Sequence, residues 1–236
     1  MQIAVAVDKT AKHAVSQAGD SAEVVERPLG GVSVLIVDGQ GSGRAAKTIS
    51  SALAGKASAL ITDGARDGAV VRAIHDWLYV QKRGRVSATI GMISVATDTK
   101  TLVLTRSGNC PIFVFSAERA WRFDSDCPPL GFYRFTRPQI QQLPLRAGLM
   151  AVTFSDGVLS AGVRSGKEMS VEAWLQKIHH FYKQDIAPDY VAGQIINHAI
   201  ALDDGRPQDD TSVAVVSIRD RAGNGIRRMR VEFPLE

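Results

Sequence analysis

Four aspartates stand where a carboxylate could do more than solvate a turn. Asp-Gly occurs five times in the 236 residues, at Asp38, Asp63, Asp67, Asp156 and Asp204. By itself the dipeptide marks a turn, because both residues tolerate turn dihedrals. Asp38 and Asp156 differ in what precedes them: each closes an apolar run, Val32 to Val37 and Leu149 to Phe154, that reads as a buried strand. A rigid sheet would hold a carboxylate there. Asp209 occupies the mirror position, just before the apolar run Thr211 to Ile218, and Asp20 lies in Ala18-Gly19-Asp20-Ser21 between two short strand-like segments. Antiparallel sheets could gather these four acids at one edge. Clustered carboxylates repel, so such a site needs cations, and hard oxygen donors with open water positions suit Mg²⁺ or Mn²⁺. Two such ions would lower the pKa of a shared water and clamp a phosphoryl group.

The elements that must position these acids come in runs. Short strands are predicted over Ile3 to Val7, His13 to Ala18 and Ala22 to Glu26, ahead of Val32 to Val37. Helical spacing of small and apolar residues covers Arg44 to Leu60 and Ala69 to Lys82, with Val70, Ile74, Trp77 and Leu78 on one side of the second. From Val86 to Ser116 the period falls to two, and Ser87 to Val95, Thr101 to Arg106 and Pro111 to Ser116 read as an antiparallel meander. Ser125 to Gln142, with Pro128, Pro129 and Pro138, reads as a long irregular stretch. Helices return at Val171 to Lys183, announced by Ser170, and at Pro188 to Leu202. Strands in runs with helices in pairs argue for an α+β fold of packed antiparallel sheets covered by helices, and against a doubly wound parallel sheet. One domain is expected over residues 1–218. Residues 219–236 form a basic extension, in which Arg227 to Phe233 is a candidate edge strand.

With 45% apolar and 22% charged residues the chain is neither disordered nor collagen-like. Lys and Arg number 28 against 24 Asp and Glu, and half of the resulting +4 falls in the last eighteen residues. That balance does not point to nucleic acid. Cys110 and Cys127 are too few for a disulfide scaffold and lack structural zinc spacing, so both are read as thiols. Neither a signal-peptide core nor a spanning segment is found, and the expected compartment is the cytoplasm, with no membrane partner.

The motifs that carry these acids also carry a resemblance. Gly19-Asp20, Val37-Asp38-Gly39-Gln40-Gly41-Ser42-Gly43, Ser107-Gly108-Asn109-Cys110-Pro111, Pro129-Leu130-Gly131, Phe154-Ser155-Asp156-Gly157-Val158 and Asp209-Asp210-Thr211-Ser212 follow one another in order. This order resembles that of the PPM metal-dependent protein phosphatases. The nearest likeness is to the bacterial stage-II-sporulation-E type, which includes serine phosphatases regulating the sigma-B stress pathway, and it spans Met1 to Ile218. The resemblance implies a four-layer α-β-β-α sandwich with two Mn²⁺ or Mg²⁺ ions at one end of the two sheets. Asp38 then resembles the carboxylate bridging both ions, Gly39 the residue whose carbonyl ligates one, and Asp156 and Asp209 the remaining carboxylate ligands. Asp20 matches the first-motif acid, which acts through water or at an additional metal position, and Asp210 matches a position beside a ligand. The implied reaction is direct attack of a metal-bound hydroxide on phosphoserine or phosphothreonine. Its substrate would be a phosphorylated regulatory protein of the anti-sigma-antagonist or stressosome type.

Three positions depart from the type 2C pattern. Val15 stands where an Arg holds phosphate, as is usual in the sporulation branch. Gln40 replaces a His and cannot donate a proton to the leaving oxygen, so water would have to. Ser212 stands where Thr is common.

Two other classes compete. Gly41-Ser42-Gly43-Arg44-Ala45-Ala46 follows a buried strand, opens a helix and has Asp63 twenty residues beyond Gly43, which satisfies a dinucleotide fingerprint. That reading leaves Asp156 and Asp209 unexplained. A phosphatase-like binding module that has lost its metals would keep the fold without the acids, and here the acids are intact. His13, His75, His179, His180 and His198 form no ligand spacing with them.

Overall fold

The computed structural model describes all residues except 16, 185, 221–224 and 233–236. In chain order it comprises β1 (Gln2–Thr10), β2 (Ser21–Glu26), β3 (Gly31–Gly39), α1 (Gly43–Thr62), α2 (Asp67–Lys82), β4 (Ala88–Ala96), β5 (Thr101–Ser107), β6 (Ile112–Phe115), β7 (Ala120–Phe123), β8 (Gln139–Pro144), β9 (Leu149–Phe154), α3 (Asp156–Ser160), a short 3₁₀ turn (Val163–Ser165), α4 (Val171–Lys183), α5 (Pro188–Leu202) and β10 (Thr211–Arg219). Two five-stranded sheets run in the orders β1-β10-β9-β6-β7 and β2-β3-β4-β5-β8. Their strand pairs are all antiparallel.

Side-chain alternation explains why the central strands read as unbroken apolar runs. Strand side chains point alternately to the two faces of a sheet, and here both faces are buried. On β3, Val34 and Ile36 pack between the sheets while Leu35 and Val37 pack under α1 and α2. On β10, Ala214, Val216 and Ile218 face the other sheet while Val213 and Val215 meet α4 and α5. Three apolar layers therefore separate four layers of structure, and the expected α-β-β-α sandwich is what forms.

Four local expectations differ from the structure. The described residues between Thr10 and Ser21 form no strand, because side chains rather than a ladder hold their backbone: both oxygens of Asp210 are occupied by the amides of Lys12 and Gly19, at 2.9 and 2.7 Å. The meander breaks after β5, since β5 pairs with β4 and β8 whereas β6 pairs with β7 and β9. The segment Gly108 to Pro111 thus crosses from one sheet to the other. Within the stretch expected to be irregular, β8 forms an edge strand whose largely exposed Gln-rich sequence carries little period-two signal. In the extension, residues 225–232 form no strand, and Phe233 lies outside the described residues. Arg227 instead meets Glu26 at the end of β2, 2.6 Å apart.

Candidate active site

Register brings the four acids to one end of the sandwich. Ser21 on β2 pairs with Val37 on β3, and one step further the same register sets Asp20 opposite Asp38. Asp20 shares the parity of Ala22 and Val24, and Asp38 that of Val34 and Ile36, all of which face the second sheet. From that sheet, β9 ends at Phe154 and delivers Asp156 on the first turn of α3, while β10 begins at Thr211 just after Asp209. The ends of β9 and β10 are clamped: the Ser155 and Ser212 backbones are joined at 2.9 Å, and the Ser212 amide donates to Ser155 Oγ at 2.9 Å.

Close approach explains two glycines here. A Cβ on Gly39 would lie 2.5 Å from the carbonyl oxygen of Ala46 in α1, and one on Gly157 would lie 2.1 Å from that of Asp210. Any side chain would push apart the elements that carry Asp38, Asp156 and Asp209.

The acids act on one another's protonation. Burial pushes Asp38 up to about 9, and repulsion from Asp20, Asp156 and Asp209 adds to it. A hydrogen bond between the Asp38 and Asp156 carboxyls keeps the proton on Asp38 and favours charge on Asp156, which burial and Asp209 raise. Asp20 is only 1% exposed and is pushed up to about 7, mainly by burial. Asp210 and Asp156 add to that, and the nearby Ser212 and Ser155 hydroxyls oppose it. Among the described residues, neither oxygen of Asp20 meets a hydrogen-bond partner, nor does Ser212 Oγ. Asp209 is raised by burial and by Asp210, against its bond from the Asp210 amide and the charge of Lys12.

Such a set could hold divalent cations. Its donors are hard carboxylate oxygens, the most buried of them lacks a hydrogen-bond partner among the described residues, and the repulsion that adds to burial in raising all four is what a cation offsets. Among the described residues, no group of three or more His, Cys, Asp or Glu side chains is already gathered at metal-ligand spacing.

Two supporting residues, Lys47 and Arg106, went unread in the sequence. Lys47 of α1 donates to the Asp20 carbonyl at 2.8 Å and to Ser21 Oγ at 2.9 Å, and burial lowers its pKa. Cys110 lies near Asp38 and Asp156, but burial pushes its thiol up to about 12, which makes it inert. Arg106, 3% exposed, donates to the carbonyls of Gly108 and Cys110 at 2.8 and 3.0 Å and so fixes the crossing segment beside the site. A charged residue inside a strand pattern was the only available signal. Asp210, with both oxygens taken by backbone amides, positions the segment carrying Asp20. Gln40 is similarly engaged, its Oε1 accepting from the Ser87 amide at 2.8 Å.

The glycine loop does open α1, yet β3 pairs antiparallel with both neighbours, so the loop belongs to no parallel βαβ unit among the described residues. Asp63 caps the far end of the twenty-residue helix, about 30 Å from Gly43 at 1.5 Å per residue. Both facts remove the dinucleotide reading.

The same sandwich recurs among solved structures. The phosphatase domain with a regulatory fragment of SpoIIE from Bacillus subtilis, described as a PP2C phosphatase domain, superposes with a TM-score of 0.74 at 19% identity, covering 92% of this chain and 64% of that one. The serine/threonine phosphatase PstP/Ppp of Mycobacterium tuberculosis gives 0.71 at 17%, covering 92% and 99%. RsbX in complex with magnesium gives 0.64 at 16%, covering 91% and 94%. The fold is thus that of the PP2C-type, or PPM, serine/threonine protein phosphatase class. The sequence model of the stage II sporulation protein E (SpoIIE) family matches residues 28–219, and the chain belongs to that family. No curated protein sequence matches it.

Proposed function

We propose that the protein is a metal-dependent protein serine/threonine phosphatase acting on a phosphorylated regulatory protein of the anti-sigma-antagonist or stressosome type. The observation that carries this reading is the set of four aspartates at one end of the sandwich, each raised in pKa by burial and by a neighbouring carboxylate, on a family and fold of phosphatases. Asp38, Asp156 and Asp209, with the Gly39 carbonyl, would hold two Mn²⁺ or Mg²⁺ ions, and Asp20 would act through water or at a further position. Bound there, the ions supply activation of water for in-line attack on phosphorus and neutralise the phosphate oxygens.

The chain's own groups supply the rest. Asp38, at the end of β3, would be the carboxylate shared by the two ions. The clamp between Ser155 and Ser212 holds Asp156 and Asp209 at fixed separation, and Lys47 with Asp210 pins the backbone of Asp20. Gln40 braces Ser87 and has no proton to give, so protonation of the leaving serine oxygen falls to solvent. Likeness to RsbX, whose structure contains magnesium, supports the metal. Likeness to a solved structure described under the bacterial stressosome, with a TM-score of 0.71 at 17% identity, supports a phosphorylated regulator as substrate.

The test is release of phosphate from p-nitrophenyl phosphate and a phosphoserine peptide, with and without Mn²⁺, for the parent chain and Asp209→Asn. Metal-dependent release that falls at least about 100-fold in the variant is expected. No release together with no Mn²⁺ bound by calorimetry would instead make the chain a phosphatase-like binding module.

A further inference from the structure

Beside the acids lies an aromatic and cationic lip that the chemistry above does not use. Phe132, Tyr133 and Phe135, in the connection between β7 and β8, expose 52%, 53% and 77% of their surface. Phe132 and Tyr133 meet edge to face with ring centres 5.0 Å apart, and the Arg134 guanidinium sits over the Phe135 ring at 5.4 Å. Large aromatics grouped in solvent mark interaction surfaces.

A slack loop could fold its rings away, but this one is anchored on both sides of them. Leu130 exchanges two backbone hydrogen bonds with Ala88, at 2.8 and 3.2 Å. Ser107 Oγ donates to the Pro128 carbonyl at 2.7 Å, and the Gly131 amide donates to His75 Nδ1 at 3.1 Å. Arg106 donates to the Ser125 carbonyl and to Gln139 Oε1. The anchors also fix the lip's place: Ala88 pairs with Gly39 on one side and Leu130 on the other, which puts Leu130 two strand spacings, about 10 Å, from Gly39.

Charge gathers at the same place. The end of α2, with Lys82, Arg83 and Arg85 around it, abuts the loop, since a Cβ on Gly84 would lie 3.3 Å from the Phe132 carbonyl oxygen. Arg134 and Arg137 add two more cations. Among the described residues none of these five is ion-paired, and no Asp or Glu occurs between Asp76 and Asp98 or between Asp126 and Asp156. The neighbouring four-acid cluster repels an acidic substrate segment, and a cationic flank counters that repulsion.

We propose that this lip is the docking surface for the phosphoprotein substrate, and that it selects segments carrying acidic residues and an apolar side chain beside the phosphorylated residue. The inference rests on the phosphatase reading above. Fixed aromatics with unpaired guanidinium groups, held at the rim of a catalytic site, have the composition of a protein-binding hot spot.

The experiment uses fluorescent phosphoserine peptides of about twenty residues, long enough at roughly 3.4 Å per residue to reach from the acids across the lip. One carries Asp and Glu flanks, the other Lys flanks. Binding by anisotropy, hydrolysis of both peptides and hydrolysis of p-nitrophenyl phosphate are measured on the full chain, Phe132→Ala/Phe135→Ala and Arg134→Glu/Arg137→Glu. The parent chain should bind the acidic peptide at least about tenfold tighter than the basic one. Each variant should lose that preference and about tenfold in kcat/KM on the acidic peptide, with p-nitrophenyl phosphate turnover unchanged, and Arg134→Lys/Arg137→Lys should restore much of it. Unaltered binding in both variants overturns the proposal. So does an equal fall on peptide and p-nitrophenyl phosphate, or loss in the variants only of binding to anionic vesicles or single-stranded DNA. If the parent chain hydrolyses nothing yet binds the acidic peptide through the lip, the phosphatase reading fails and the docking surface stands.

Discussion

Asp38 illustrates how a residue's cost and its use can coincide. Burial and three neighbouring acids push it up to about 9, so without a cation the native chain carries a proton or an unrelieved charge at this point. Replacing it with Asn removes both the repulsion and the donor expected to join the two metals. Asp38→Asn should therefore melt higher than the parent in chelator, while losing Mn²⁺ affinity by calorimetry and at least about 100-fold in turnover. Parent-like turnover would remove Asp38 from the site. Asp20 and Asp38 were legible because each sits at a strand end. Lys47 was not, because a lysine on a helix gives no sign of reaching a carbonyl twenty-seven residues earlier until α1 is laid against β2.

At the scale of elements, the site depends on how closely α3 and α1 approach the sheets. Gly157 lets α3 start against the Asp210 carbonyl, where a Cβ would sit at 2.1 Å. Backbone cannot yield there as a flexible side chain would, so Gly157→Ala should destabilise by about 1–3 kcal/mol, as overpacking does. Because the shift moves Asp156 relative to Asp209, activity should fall more than stability does. Thermal unfolding and p-nitrophenyl phosphate turnover read the two separately, and an unchanged melting temperature would contradict the packing argument. Strand periodicity revealed β3, β9 and β10, whose two buried faces make continuous apolar runs. It did not reveal β8, an exposed edge, nor the crossing between β5 and β6, because period-two alternation says nothing about which sheet a strand joins.

For the whole molecule, the acids link stability to pH with a definite sign. An unfolded Asp ionises near 3.8, whereas in the native chain Asp20 holds its proton to about 7 and Asp38 to about 9. Between those values the native state binds more protons than the unfolded one. The contribution is fully present below about pH 4 and is lost as pH rises through 7 and 9. In chelator the melting temperature should decline from about pH 5 to about pH 9, and saturating Mn²⁺ should restore it at the upper end by binding only the native state. A melting temperature that rises with pH, or ignores Mn²⁺, would count against the cluster. No helix among the described residues is long and apolar enough to cross a membrane.

The four long helices, the two-faced burial of the central strands and the strand-end placement of Asp38, Asp156 and Asp209 follow from the sequence alone, because periodicity and turn chemistry are local properties. Only the tertiary structure decided that Asp20 stands opposite Asp38, that Asp210 spends both oxygens on backbone, and that the aromatic segment after Leu130 is fixed beside Gly39. Each of these depends on register or on contacts between distant residues, and such contacts exist only once the two sheets have packed.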